Sequence, residues 1–266
     1  MRYVRLKTDS ACKLPHAGCC NRAQGGRHVQ ALQERPLAKA ENHLFEILPR
    51  ADRLRLLACS ETVDLVLNEV LCERGALIEH VYFPVQGFIS LLTQVDHHAS
   101  LEVGLVGREG MFGAELALGM LQSPLRALVQ GSGSARRVDS ASFRRELTRS
   151  DPLREVLQRY LRVVLVQMAS SAACLRFHLI QQRLARWLLM SADRAHAVQF
   201  HVTHEFLASM LGVRRVGITV AASTLQRDGL ITYRRGEVTL LNRKGLEAVA
   251  CSCYVSERRA YSTAMG

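Results

Sequence analysis

The sequence predicts an α+β protein, with an all-β domain first, a long helix next and a small helical domain with a β-hairpin last. Short apolar stretches separated by turn residues fill 63–138, as in antiparallel sheets. A stripe of apolar residues at alternating spacings of four and three follows Pro152, which indicates a helix. Two short helices and a hairpin are predicted for 203–241.

The all-β part is preceded by one or two short helices around Pro49. Short strands then recur about every ten residues, an interval typical of a sandwich or barrel. The predicted strands are Val63–Val70, Leu71–Gly75, Val81–Pro84, Gly87–Thr93, Leu101–Val106, Arg126–Gly131 and Ala135–Val138. The glycine-rich stretch Gly107–Gly113 interrupts them, and Glu115–Gly119 is predicted as one helical turn.

The pattern changes to helix at Ser150-Asp151-Pro152, where Asp stands at a cap position and Pro in the first turn. A helix that pairs with a second copy in a parallel dimer carries an a/d seam of this spacing. The same stripe also fits a helix that packs on its own β-domain. The residues of the stripe are Leu157, Leu161, Val164, Met168, Ser171 and Leu175.

The last part begins at Thr203, whose hydroxyl can cap a helix that ends before Gly212. Ile218, Ala221 and Leu225 form the buried side of a second helix. A hairpin over 231–241 with a basic tip follows, and a helix-turn-helix closed by such a hairpin is a winged helix-turn-helix. An ordinary helical pair with a packed hairpin is the alternative.

The charge is concentrated in two segments of a chain whose net charge is +11. Residues 176–244 carry eleven Lys and Arg against four Asp and Glu, and residues 1–40 carry eight against two. Residues 41–175 are near neutral, with fourteen basic and sixteen acidic side chains. Clustered positive charge suits phosphate neutralisation, so we expect double-stranded DNA as a partner of the last domain.

Several classes of protein are excluded by what the sequence lacks. No apolar run reaches the length of a transmembrane helix, and the N-terminus has no signal-peptide core, so we expect a cytoplasmic protein without a membrane partner. Gly131–Ser134 lacks the Lys and the strand-to-helix setting of a P-loop, and no other catalytic motif is present, so we expect no enzyme and no catalytic residue.

Together these parts resemble the Crp/Fnr family of bacterial transcription regulators over residues 42–254. The most specific segments are Gly104–Gly113, Arg183–Met190, Ala208–Arg215 and Gly229–Gly236. The resemblance implies a cyclic-nucleotide-binding-like β-roll that senses an effector, a homodimer, a pseudo-palindromic operator, and RNA polymerase as a further partner. The implied divisions are a sensor domain at 41–150, a dimerisation helix at 151–177, a winged domain at 178–254 and a C-terminal tail at 255–266. Residues 1–40 mix Gly, Arg, Lys and Cys without periodicity, so we predict a disordered basic arm there.

The resemblance also implies which residues contact DNA. Base-reading positions on the first two turns of the second helix are held here by Arg214, Arg215, Val216, Gly217 and Thr219. We expect phosphate contacts from four more residues, which set the register without carrying sequence information. These are Thr203, His204, Arg234 and Arg235.

The corresponding effector positions depart from the cyclic-nucleotide pattern of the family, a Gly-Glu pair and an Arg-Ser pair. Here the cassette reads Gly113-Ala114-Glu115, and the phosphate position reads Leu125-Arg126-Ala127. A shift of one residue in a strand turns a side chain to the opposite face. We therefore expect an unknown effector at these positions. A cyclic-nucleotide-responsive or redox-responsive binding module, whose helical half mainly dimerises, and a β-roll without effector stay open.

The cysteines give no metal signature in the sequence. Eight are present, and their spacing matches neither paired zinc motifs nor the N-terminal cluster of the iron–sulfur members. Cys59, Cys72 and Cys174 are expected as small buried residues. Cys251-Ser252-Cys253 is consistent with redox or metal chemistry without identifying either, and sensing through His80, His97 or His98 has no pattern to support it. We predict no metal and identify no cofactor.

Overall fold

The computed structural model describes residues 41–96 and 100–266, which form a β-roll, a long helix and a winged helix-turn-helix in chain order. The predicted arm at 1–40 and the histidines His97 and His98 lie outside the described residues.

Two short helices, α1 (His43–Glu46) and α2 (Arg50–Ala58), lead into the β-roll on either side of Pro49. The entry is held by Asn42, which is fully buried. Its side-chain oxygen accepts a hydrogen bond from the Leu44 N–H, and its amide nitrogen donates to the carbonyl oxygens of Pro84 and Gly110 at 2.9 and 2.7 Å. The cap thereby ties the start of the domain to the sheet and to the glycine-rich loop.

The β-roll sheet contains five antiparallel strands in the order β1-β5-β3-β4, with β2 also paired to β5. The strands are β1 (Glu61–Leu65), β2 (Val70–Cys72), β3 (His80–Thr93), β4 (Leu101–Val106) and β5 (Arg126–Asp139). A short 3-10 helix at Ala114–Leu118 confirms the predicted turn.

The strand boundaries predicted at Pro84–Gly87 and Gly131–Ala135 are wrong, because β3 and β5 each continue through them. Their pairing shifts register between Pro84 and Phe88, so the strands bulge there without ending. Gly87 has φ +77°, and a Cβ at this position would lie 2.2 Å from the Gly131 carbonyl oxygen. Glycine therefore permits a bend and a close backbone approach at a point where the sequence suggested a break.

Helix α3 (Ser140–Arg149) leads to α4 (Asp151–Phe177), which has the bounds predicted for the long helix. Ser150, rather than Asp151, caps α4 by accepting a hydrogen bond from the Leu153 N–H. Leu157 is fully buried in the core of the β-roll, so its assignment to a dimer seam is wrong. Leu161, Val164 and Met168 are partly buried and pack against the same core, which confirms the alternative packing for the first half of the stripe.

The winged domain contains helix α5 (Ile180–Ala195), helices α6 (His204–Met210) and α7 (Arg215–Arg227), and helix α8 (Arg243–Val249). Its sheet has the order β6-β8-β7, formed by β6 (Gln199–His201), β7 (Ile231–Arg234) and β8 (Glu237–Leu240). Of the described helices, none alone is long and apolar enough to span a membrane; α6 and α7 reach that composition only as a pair across a 110° bend.

The winged domain contacts the β-roll through α5 and α6. The indole N–H of Trp187 donates to a Glu102 carboxyl oxygen on β4 at 2.9 Å, and its ring lies 6.5 Å from that of Phe88. The Ser209 hydroxyl on α6 donates to the Ser100 carbonyl oxygen at 2.8 Å. The winged domain is therefore joined to the β-roll by polar contacts as well as by α4.

The chain ends in helix α9 (Cys253–Met265), so the expected tail at 255–266 is mostly helical. Tyr254, Ala264 and Met265 are buried, and α9 packs along α4. The Tyr261 hydroxyl donates to the Glu109 carbonyl oxygen at 2.8 Å. Apolar residues on one helix face thus dock the end of the chain against the long helix and the glycine-rich loop.

Candidate nucleic-acid interface

Helix α6 begins and ends as the sequence predicts. The Thr203 side chain accepts a hydrogen bond from the Phe206 N–H at 3.1 Å and caps the helix. Gly212 has φ +59°, a conformation that glycine adopts without steric cost, and makes the turn into α7. The turn orients α7 across α6.

Helix α7 has one buried and one exposed side. Ile218, Ala221, Ala222 and Leu225 are buried in the winged domain. The opposite side exposes Arg214 as N-cap residue and then Arg215, Val216, Thr219 and Val220. Val216 and Val220 are 73% and 62% exposed, where a helix that meets only water would carry polar side chains. Such an apolar and basic face suits contact with base edges, including the thymine methyl group.

Gly217 lies on the side of α7 that packs against α5, unlike the other residues of α7 that are predicted to contact DNA. A Cβ at this position would come within 2.8 Å of the Ile180 Cδ1 atom at the start of α5. Glycine therefore lets α7 approach α5 closely. Its role is to set the helix position, and it presents no side chain to a base.

His204 connects α6, α7 and the hairpin. Its ring stacks on Tyr233 with centroids 4.5 Å apart and an interplanar angle of 6°, and its Nδ1 lies 3.0 Å from the Thr219 hydroxyl oxygen. Burial, and next the charge of Arg215, lower the pKa of the His204 imidazole. A neutral His204 in this position orients Thr219.

The hairpin between β7 and β8 carries the wing. Arg235 and Gly236 form its two-residue loop with φ +53° and +87°, the conformation of the tight turns that match the strand twist. Arg234 and Arg235 are exposed at this tip. The Tyr233 N–H donates to the Gln226 side-chain oxygen at 2.8 Å, which fixes the wing to the end of α7.

The charges around α7 and the wing are mainly positive. Arg215 Nε lies 3.9 Å from a Glu205 carboxylate oxygen, at the limit of an ion pair, and both side chains are well exposed. Glu237 pairs instead with His201 at 2.8 Å. Apart from Arg227, which pairs with Asp228 at 3.3 Å, the arginines of α7 and the wing therefore keep most of their charge available to an anionic partner.

Comparison with known proteins identifies the domain. Residues 182–249 match the model of the Crp-like helix-turn-helix domain. FixK2 from Bradyrhizobium japonicum superposes with a TM-score of 0.62 at 18% identity, over 73% of this chain and 98% of that one. A Crp/Fnr family regulator from Thermus thermophilus superposes with a TM-score of 0.58 at 22% identity, over 71% and 98%. Residues 182–249 therefore belong to the Crp-like helix-turn-helix domain family, and the chain has the fold of Crp/Fnr regulators.

A third solved structure supports the same fold for this chain. The c-di-GMP responsive regulator CLP from Xanthomonas campestris superposes with a TM-score of 0.58 at 20% identity, over 72% of this chain and 99% of that one. At such identities the likeness establishes the fold alone. No curated protein sequence matches the chain.

The predicted effector positions lie in the β-roll. Ala114 and Ala127 are buried in its core, and a Cβ at Gly113 would lie 2.7 Å from Val81 Cγ1. Burial raises the pKa of the half-buried Glu115 carboxyl. Arg126 points away from the core and pairs with Glu73 at 3.1 Å, as expected from the shift of one residue along the strand.

A cavity of about 420 Å³ lies elsewhere, between α4, α5, α9 and the glycine-rich loop. Glu109 and Arg194 form an ion pair of 2.8 Å in its wall. Tyr160, Tyr254 and Tyr261 contribute aromatic surface to the same wall. The sequence analysis missed this site because α9 supplies one side of it and was assigned as a tail.

Proposed function

We propose that this Crp/Fnr protein regulates transcription by binding a pseudo-palindromic DNA site as a homodimer. The observation that carries the proposal is the exposed face of α7, where arginine and valine side chains surround Thr219 above a buried apolar side. An α-helix with this face fits the major groove, and the wing beside it carries two exposed arginines.

In this proposal, residues of α7 contact the bases and His204 of α6 positions one of them. Arg215, with Arg214 beside it, donates to guanine O6 and N7, a contact worth about 1–3 kcal/mol of base discrimination. Thr219 and Val216 meet base edges or a thymine methyl group. His204 acts by holding Thr219, with which it lies in hydrogen-bond distance.

Phosphate contacts come from the N-terminus of α6 and from the wing. Thr203 is exposed beside the first turn of α6, whose N–H groups attract an anion. Arg234 and Arg235 reach the backbone from the tip of the hairpin. These contacts position the protein without reading the sequence.

The dimer interface in this proposal is the exposed stripe of α4. Leu165 is 68% exposed and Leu175 36%, and Ala172 between them is also exposed. Leu161 and Met168 continue the spacings of four and three but are only partly exposed, because they also pack against the β-roll core. A stripe of this spacing packs against its twin in a parallel coiled coil. The interface is thus turned by a small angle from the predicted seam, away from the buried Leu157.

The cavity beside α4 is the proposed effector site. Its volume lies within the range of small-molecule sites, and its walls belong to the dimerisation helix, the winged domain and the glycine-rich loop. A ligand there contacts elements on both sides of the junction, so it can shift their relative arrangement. RNA polymerase is the further partner proposed for an activating complex.

Binding of a fluorescent duplex at several salt concentrations tests the proposal. We expect affinity to fall steeply with salt and the slope to decrease when Arg234 and Arg235 are both replaced by alanine. Arg259→Ala, which removes an exposed charge from α9, is the matched control and keeps the slope. Absence of salt-dependent duplex binding favours the rival, a β-roll binding module whose helices only dimerise.

A further inference from the structure

Three cysteines and one histidine that are far apart in the sequence meet beside the junction of α4 and α5. Cys174 lies in the last turn of α4, and His178 follows the end of that helix. Cys251 lies in the link between α8 and α9, and Cys253 is the first residue of α9. The fold thus brings residues that lie 77 positions apart, Cys174 and Cys251, into contact.

Two of the distances between the donor atoms match those around a single tetrahedral ion, and the other donor atoms lie close by. Cys174 Sγ lies 3.5 Å from Cys251 Sγ, and Cys253 Sγ lies 3.6 Å from His178 Nδ1. All four donor atoms lie within 4.8 Å of one another. Zinc bonds of about 2.3 Å to sulfur and about 2.0 Å to nitrogen place tetrahedral donors roughly 3.5–3.8 Å apart.

The surroundings supply the charge balance that such a site needs. Cys174 and Cys251 are 2% and 3% exposed, and the Arg183 and Arg186 side chains are buried nearby. Arg186 pairs with Glu257, but within residues 41–96 and 100–266 Arg183 forms no salt bridge with a carboxylate. Three thiolates around a divalent ion carry a net charge of −1, which compensates the second buried guanidinium.

We propose that Cys174, His178, Cys251 and Cys253 bind one zinc ion. Three sulfur donors and one imidazole select a soft or borderline ion over magnesium or calcium, which prefer oxygen ligands. The donors also lie too close together to surround an iron–sulfur cluster, whose several metal and sulfide atoms separate its ligands.

The position of the four ligands determines what the ion does. A closed four-coordinate zinc site is structural. Here it cross-links the end of α4, the connection into α5 and the start of α9. Zinc therefore holds α9 against α4 and fixes the angle at which the winged domain leaves the long helix.

Cobalt binding to the reduced full-length chain, stripped of metal with a chelator, tests the site without any use of DNA. We expect one equivalent of Co²⁺ to bind with the intense visible absorption and sulfur-to-cobalt charge transfer of a tetrahedral thiolate site, and Zn²⁺ to displace it. Cys251→Ser and His178→Ala are expected to weaken Co²⁺ binding at least about tenfold. Cys72→Ser, which removes a buried thiol from the β-roll, is the matched control and keeps one equivalent.

Three results would overturn the proposal. One is the absence of Co²⁺ binding to the wild-type chain when a thiol assay shows that all of its cysteines are reduced. Another is a Co²⁺ absorption spectrum that is the same in wild type, Cys251→Ser and His178→Ala, with both variants shown by circular dichroism to be folded. That result would assign the ion to other cysteines. The third is a Cys174–Cys251 disulfide, detected by mass spectrometry, that persists under reducing conditions in the purified chain.

Discussion

Replacing Glu102 by glutamine is expected to change how the stability of the protein depends on pH. The Glu102 carboxyl accepts hydrogen bonds from the Ser90 hydroxyl at 2.6 Å and from the Trp187 indole at 2.9 Å. Burial nevertheless raises its pKa from 4.5 to about 7. The folded protein therefore holds the proton more tightly than the unfolded chain does, and this stabilisation, present below about pH 4.5, is lost as pH rises through about 7.

The size of the effect follows from the two pKa values. A rise from 4.5 to about 7 corresponds to a loss of about 2–3 kcal/mol between about pH 5 and about pH 8, since one pKa unit is worth about 1.4 kcal/mol. Part of the Glu102 surface is exposed, so this value is an upper bound. Glutamine keeps the shape of the side chain without the ionisation, so Glu102→Gln gains stability relative to wild type as pH rises.

Denaturant unfolding followed by the fluorescence of Trp187, the single tryptophan, measures this difference. Carboxyls with lowered pKa, such as Asp52 and Asp139, contribute in the opposite direction but equally in both proteins, so they cancel. Glu155→Gln, on the exposed side of α4, controls for removal of one carboxylate. A stability difference between wild type and Glu102→Gln that stays constant with pH would refute the reasoning.

Three further predictions follow from the interface, the dimer and the cysteine cluster. Arg215→Ala should relax the preference at one base pair per half-site by about 1–3 kcal/mol in competition binding; equal weakening on every sequence would make Arg215 a phosphate contact. Leu165→Glu should convert the dimer to monomer in analytical ultracentrifugation, whereas Leu54→Glu, at another exposed leucine, on α2, should not. A dimer that survives Leu165→Glu contradicts the α4 interface. A strong chelator should lower the melting temperature of wild type and leave Cys251→Ser unaffected; equal melting temperatures of wild type with and without chelator would show that the ion does not support the fold.

The winged domain could be predicted closely because its signals are local. The Thr203 cap, the positive φ of Gly212 and the two-residue hairpin turn after Arg234 each depend on residues within one or two turns of chain. The outward face of α7 follows from the same helix period. The close approach of Gly217 to Ile180 could not be predicted in this way, because Ile180 lies on a different helix.

The sequence predicted an antiparallel sheet correctly, but it did not predict where the strands begin and end. Gly87 and Gly131 are typical turn residues in a sequence pattern, yet here they allow two long strands to approach at a bulge. Whether a glycine ends a strand or bends it depends on the partner strand, which the local sequence does not describe.

The cavity and the cysteine cluster, which the sequence analysis did not predict, are formed by residues far apart in the chain. Helix α9 closes the cavity with Tyr254 and Tyr261 and brings Cys253 to His178. In the sequence, only the two cysteines of Cys251-Ser252-Cys253 indicated a possible metal site. Cys174 looked like any buried cysteine of an amphipathic helix. Spacing rules find metal sites whose ligands come from neighbouring residues, whereas this cluster depends on how α9 packs on α4.

Selection from a random duplex library with the purified full-length chain tests the central claim most directly. Two α7 helices related by a dimer axis should enrich an inverted repeat whose half-sites lie about 10–11 base pairs apart. Wild type and Arg215→Ala, selected in parallel, should enrich the same spacing with one relaxed position per half-site. Enrichment of no sequence, or of a single half-site without symmetry, would contradict a dimeric reader of DNA.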